Sequence, residues 1–353
     1  MRSVLIITFL FSVTYGYGQV VLNADGPGNT YELITSVLAP SHNPIETPDC
    51  NHSEFGAHID EIYDEDLGMD VFRFHIHVSP DNDRCINFDR QRNEIKTYDK
   101  SPANLLGIEN EKVIYKWKFK LADGFQSSPN FTHIHQLKSV GGSLESMPMY
   151  TLTTRKGNPD RLELRYAETS TQVTLAQTSL APLVGTWLEV TETIIYGIEG
   201  TYDLTIKRIA DNETLFSYSN NSIVNWRPGA TFVRPKWGIY RSLINDQNLR
   251  DEEVLYANFS IEEIDLLSAD NSEIKEKDEV IFSNLIGNKL HLDNLSHKIN
   301  LIQLFSISGR KILTKNIDSA TQVNLDVSSL SAGTYILVFS GKQVHQTKLI
   351  MIH

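Results

Sequence analysis

Beyond its first residues the chain has no long apolar run, which leaves no later segment able to cross a bilayer as a helix. Positive charge is in short supply as well. Lys and Arg number 32 against 44 Asp and Glu, a formal net charge of -12, and a phosphate binder needs a basic footprint that this balance does not offer. The reading is therefore against nucleic acid as a partner. Cysteine is scarce: Cys50 and Cys85 are the 2 present, so one bridge is the most they can make. Sustained helical periodicity is missing too, and almost every clear pattern is extended.

What is present begins with an export signal. Met1-Arg2-Ser3, the apolar run Val4 to Val13 and the small-residue stretch Gly16-Tyr17-Gly18 read as a signal peptide, residues 1–18, cleaved before Gln19. An exported chain meets oxidising conditions, so Cys50 and Cys85 are expected to form a disulfide. After Leu267 the composition shifts. Residues 268–279, starting Ser268-Ala-Asp-Asn-Ser-Glu, are polar, charged and free of aromatics, as a linker is.

From Val280 to His353 short apolar runs alternate with turn signals such as Ser308-Gly309-Arg310 and Ser331-Ala-Gly333, the pattern of a small β-sandwich. The runs Leu304-Phe-Ser-Ile-Ser-Gly-Arg310 and Leu325-Asp-Val-Ser-Ser-Leu-Ser-Ala-Gly-Thr-Tyr335, with the basic-apolar end Lys348-Leu-Ile-Met-Ile352, resemble the C-terminal sorting domain of the type IX secretion system of Bacteroidetes. The resemblance implies the type IX secretion machinery as a partner and a secreted or cell-surface destination.

Residues 19–267 read as a strand-rich domain. Tyr115-Lys-Trp-Lys-Phe-Lys-Leu121 alternates core and wet positions, and Phe72, Phe74, Ile76 and Val78 alternate with Arg73, His75 and His77. So many strands in one domain imply an all-β, two-sheet antiparallel sandwich, of which the β-jelly roll is a common form.

Three segments carry chemistry. Asp89-Arg-Gln-Arg-Asn-Glu-Ile-Lys96 places Arg90, Arg92, Glu94 and Lys96 on one face. Thr132-His-Ile-His-Gln-Leu-Lys138 places Gln136 and Lys138 on one face and His133 and His135 on the other. Arg234-Pro-Lys-Trp-Gly-Ile-Tyr-Arg241 sets Lys236, Gly238 and Tyr240 together, with Arg241 on the opposite face. In this reading Gly238 leaves room for a substrate to approach the backbone. A cation, a gap and a phenol on one surface suit an enzyme that neutralises an acidic sugar and moves a proton beside it, and an acidic protein can carry such a local cationic cleft.

Together these runs resemble the jelly-roll polysaccharide lyases, and Phe131-Thr-His-Ile-His-Gln-Leu-Lys138 with Asp89–Lys96 and the sorting tail is most similar to the ulvan lyases of polysaccharide lyase family 28. The chain departs from the alginate and heparin lyases in having Lys138 two beyond Gln136, where they have His. The resemblance implies β-elimination on an anionic, uronate-containing polysaccharide: ulvan first, with a glucuronan or alginate-type polymer as the alternative. Lys138 and Tyr240 are then the proton carriers; Gln136, Arg92, Glu94, Arg90, His135, Lys236, His133 and Arg241 are expected to bind substrate. A non-catalytic carbohydrate-binding jelly roll and a glycosidase are the rivals. The latter needs two facing carboxyl groups, and Glu263-Ile-Asp265 lacks the further Glu that would complete an acidic motif.

No cofactor is expected for catalysis. His75, His77, His133 and His135 show an i, i+2 spacing without an identifiable third ligand, which argues against zinc. The acidic run Asp60, Glu61, Asp64, Glu65 and Asp66 could hold a structural Ca2+ through oxygen ligands.

Overall fold

The structure, a computed structural model, describes residues 19–264 and, further on, 281–286, 289–293, 299–306, 310–317, 322–341 and 344–352. The expected signal peptide and linker lie outside the described residues. The chain divides into two compact units, Met1–Leu266 and Leu267–His353.

The first unit is a β-jelly roll. Its strands are β1 (Val20–Leu22), β2 (Ile45–Glu46), β3 (Ile59–Asp64), β4 (Met69–Ile76), β5 (Arg90–Lys96), β6 (Lys112–Leu121), β7 (Thr132–Val140) and β8 (Tyr150–Arg155). They continue as β9 (Arg161–Tyr166), β10 (Val173–Ser179), β11 (Leu188–Ile195), β12 (Gly200–Arg208), β13 (Thr214–Ile223), β14 (Phe232–Ser242) and β15 (Glu252–Ile264). One antiparallel sheet runs β13-β12-β11-β6-β15-β4-β3 with β1 added to β15; the other runs β10-β9-β8-β7-β14-β5-β2.

Alternation places the core between them. Tyr115, Trp117, Phe119 and Leu121 of β6 are all buried, as are Phe72, Phe74 and Ile76 of β4, while the lysines between the β6 positions stay outside. From the facing sheet Trp237 comes within 6.0 Å of Trp117, ring centre to ring centre. The helix α1 (Thr30–Leu38) buries Thr30, Ile34 and Leu38, one turn apart each time, against the same core. Cys50 and Cys85 form the expected disulfide, Cα atoms 6.3 Å apart.

The second unit has β16 (Ile281–Ile286), β17 (Lys289–Asp293), β18 (Ile299–Ser306), β19 (Lys311–Asn316), β20 (Val323–Asp326), β21 (Gly333–Gly341) and β22 (Val344–Ile352). They make a three-stranded sheet, β16-β17-β20, and a four-stranded one, β19-β18-β21-β22, with Leu292, Ile302, Leu304, Leu325, Leu337 and Phe339 in its own core.

Candidate active site

The chemistry-bearing rows meet on the outer face of the seven-stranded sheet, because β5, β7 and β14 are neighbours there with β14 in the middle. Residues directly opposite in an antiparallel pair share a face. Two rungs cross five strands: Arg165, Thr151, Gln136, Lys236 and Lys96 form one, and Glu163, Thr153, His133, Tyr240 and Arg92 the other. Glu94 lies between them, opposite Gly238 on one side and Glu46 on the other. Lys138 pairs with Arg234 one rung further out.

The alternation expected along β7 does not hold. A register shift between His133 and His135 inserts an extra residue, so His133 turns to the outer face beside Gln136, while Ile134 and His135 both point inward. His135 is therefore not a substrate ligand. It packs 4.3 Å from the Trp117 ring and places Nε2 2.9 Å from Glu192 of the opposite sheet, inside the core. Arg241 is also removed from the binding set: wholly buried, it donates to Gln91 Oε1 at 2.8 Å and to the Arg250 carbonyl at 2.9 Å.

Gly238 does not make space for a substrate. Its φ is +139°, and an added Cβ would stand 2.1 Å from the Asn93 carbonyl oxygen, so the glycine admits the backbone of β5. A second shift, between Trp237 and Tyr240, adjoins it. The Tyr256 hydroxyl reaches across the core to lie 2.7 Å from both the Ile134 and the Gly238 carbonyl oxygens, sharing its one proton between them beside the distorted ladder.

The floor is an ion network. Glu94 contacts Lys236 at 2.8 Å, accepts from Gln136 and pairs with Arg92; Glu46 takes Lys236, Lys96 at 2.6 Å and Arg84 at 2.7 Å. Asp83 holds Arg92 Nε at 2.8 Å. Burial opposes ionisation of Glu46 and Glu94, yet the charges of Lys236 and Arg92 hold both carboxyls below the usual range. Lys236 is 3% exposed. Walled in by two carboxylates, it sets the local field and is not presented to a ligand.

Tyr240 stands on this floor. The Arg92 guanidinium carbon lies 3.7 Å from its ring centre, and Arg90 Nη1 donates to its hydroxyl at 3.1 Å. The His133 ring is 5.8 Å away, its Nδ1 held at 2.7 Å by Thr153 Oγ1. Burial first, then the charges of Arg92, Arg155 and Arg165, push His133 down to about 3, so it is a neutral imidazole. Lys138 is half-buried and, among the described residues, has no ion-pair partner. Burial and the charges of Lys236, Arg234 and Arg92 bring its ammonium down to about 8.

Several contributors escaped the sequence reading. Glu46 sits on a two-residue strand and Asp83 in a loop, where periodicity says nothing. Arg161, Glu163 and Arg165 alternate along β9 as Arg90 to Lys96 do along β5, a signal that was there to use; Glu163 is ringed by Arg155, Arg161 and Arg165.

The acidic run does not converge among the described residues. Asp60 pairs with Arg73 and His75, Glu61 accepts from the Asp25 and Gly26 amides, Asp64 from Trp187, and Asp66 from Lys120. Glu263 lies in the other sheet, opposite Val113, and burial with Glu111 nearby raises it to about 8.

Residues 282–353 match the family of secretion system C-terminal sorting domains. The chain therefore carries an export address, and its destination is the cell surface or the medium. Among the described residues no helix is long and apolar enough to cross a membrane. No curated protein matches the chain. Among solved structures it is similar to an alginate lyase from Aplysia kurodai, at 10% identity and TM-score 0.48 over 69% of this chain and 98% of that one. It is also similar to an endo-β-1,4-glucuronan lyase from Trichoderma reesei, at 15% identity and TM-score 0.41 over 58% and 86%. An alginate lyase from Pseudomonas aeruginosa gives 13% and 0.40 over 58% and 86%.

Proposed function

We propose that the first unit is a polysaccharide lyase acting by β-elimination on a uronate polymer, ulvan foremost, with a glucuronan or alginate-type polymer as the alternative. The observation that carries this reading is that a phenol, Tyr240, and an ammonium without an ion-pair partner among the described residues, Lys138, lie on a face where cations outnumber carboxylates in a protein of net charge -12. Lys138 and Arg234 have no carboxylate partner among the described residues, and three arginines share Glu163. An anionic sugar is drawn to that surplus.

In the reaction a base removes the C5 proton, the electron pair forms the C4–C5 double bond, the C4–O4 bond breaks, and an acid protonates O4. The uronate carboxylate must be held so that charge developing beside C5 is stabilised. Gln136 and Arg234 on this face are suited to that task. Negative charge developing on the Tyr240 oxygen is met by Arg90 and by Arg92 beneath the ring. Which of Tyr240 and Lys138 is base depends on the epimer of the uronate.

The test is incubation of the protein with ulvan, glucuronan and alginate, following the ultraviolet absorbance of an unsaturated uronate. The expected result is that chromophore with at least one polymer, and its loss by about two to four orders of magnitude in kcat for Tyr240→Phe, which keeps the ring and deletes the hydroxyl. No chromophore with any uronate polymer, or near-full turnover in the variant, overturns the reading.

A further inference from the structure

Away from the floor, three imidazoles and a carboxylate converge where the sequence offered no third metal ligand. His52 Nδ1 lies 2.8 Å and His58 Nε2 3.2 Å from Asp81 Oδ1, and His77 Nδ1 lies 3.1 Å from Asp81 Oδ2. One ligand atom from each of the four falls within 4.8 Å of all the others. His58 and Asp81 are buried, and Phe55 packs on the rings of His77 and His58 at 4.4 and 4.8 Å, shielding them from water.

The His58 ring stands between two carboxylates. Asp49 Oδ1 stands 2.7 Å from His58 Nδ1, and Asp49 in turn accepts from Tyr31 of α1 at 2.8 Å. The Asp49 contact places a proton on Nδ1, so either a second ring proton or a cation must stand between Nε2 and the Asp81 oxygen. A cation in that place binds both atoms. A carboxylate behind the far nitrogen of a ligating histidine is the usual means of fixing tautomer and ring orientation at a metal.

We propose that His52, His58, His77 and Asp81 bind one divalent transition metal ion, zinc by their chemistry, in a structural site. Three imidazoles and one carboxylate complete a tetrahedron and leave no position open, which separates a structural zinc from a catalytic one. The ion ties the segment carrying His52 to the end of β4 and to the loop carrying Asp81, two segments that the Cys50–Cys85 disulfide also joins. That loop continues to Asp83, which grips Arg92 beneath Tyr240. The metal therefore positions the floor without touching substrate.

The test is metal analysis of the full chain, purified with no polyhistidine tag remaining. About one equivalent of zinc per chain is expected, retained in His75→Ala, whose ring faces Asp60 and Glu253, and lost in His58→Ala and His77→Ala. Stripping the unaltered protein with dipicolinate should lower its melting temperature by about 5–15 °C, and Zn2+ alone should restore it. Cobalt(II) in place of zinc should give the intense visible bands of a four-coordinate nitrogen and oxygen site. A metal-free protein whose melting temperature responds neither to dipicolinate nor to Zn2+ overturns the proposal, whatever the variants do, and so does a weak, six-coordinate cobalt spectrum. None of these readouts requires the lyase reading to hold.

Discussion

Lys138 differs from Lys236, Lys96 and Arg92 in having, among the described residues, no carboxylate to hold its proton. Lys236, Lys96 and Arg92 are each matched to Glu46 or Glu94, whereas burial and the charges of Lys236, Arg234 and Arg92 outweigh Glu94 at Lys138 and bring it down to about 8. An amine with that value is divided between its two forms in mildly alkaline solution. If Lys138 takes the C5 proton, it must be neutral, so turnover should rise with pH along a limb centred near 8. If it protonates O4 it must be charged, and turnover should fall through the same limb. Either way Lys138→Met should abolish that limb from the pH profile, while Lys156→Met, altering a lysine outside the rungs, should leave it in place. A profile identical in the presence and absence of the Lys138 amine would remove the residue from proton transfer.

The strands show where a sequence can be read and where it cannot. The row Arg90, Arg92, Glu94 and Lys96 stood out because β5 runs unbroken, so period two holds from end to end. Tyr240 with Lys236 was legible for the same reason against β5. His133 was placed on the wrong face because one inserted residue reverses the faces of everything before it, and nothing in Thr132-His-Ile-His-Gln marks the insertion; His135 keeps its expected face, but that face is the core. Gly238 was noticed for the wrong reason: its cause is the neighbouring backbone, which no pattern within its own strand reveals. Glu46, Asp83 and, His77 apart, the histidine-carboxylate cluster come from segments without periodicity, brought together only by the fold. Gly238→Ala is accordingly expected to cost about 1–3 kcal/mol from its backbone conformation, and more from displacing β5. Denaturant unfolding measures this directly, and an unchanged midpoint would show that β14 accommodates the methyl.

On the scale of the whole molecule the two cores draw on separate stretches of chain, residues 22 to 261 in one and 290 to 352 in the other. Each unit buries its own apolar side chains, and a chain ending at Leu267 should unfold at nearly the temperature of the full protein and keep its catalytic rate. Loss of soluble, active protein on that truncation would show that the sorting unit also supports the first. In the native host the truncated chain should fail to reach the surface, which fractionation and immunoblotting would reveal.

The buried ion network beneath Tyr240 has one more consequence, for the thermodynamics of association. Long polar side chains in an open groove lose rotamer freedom when a ligand arrives, at about 0.5–1.5 kcal/mol each. Here Arg92, Glu94, Gln136 and Lys236 are already locked by one another, so that ordering is completed during folding. If the proposed polymer binds here, it meets a surface in its final shape, and its binding entropy should reflect the stiffening of its own glycosidic linkages more than any stiffening of the protein.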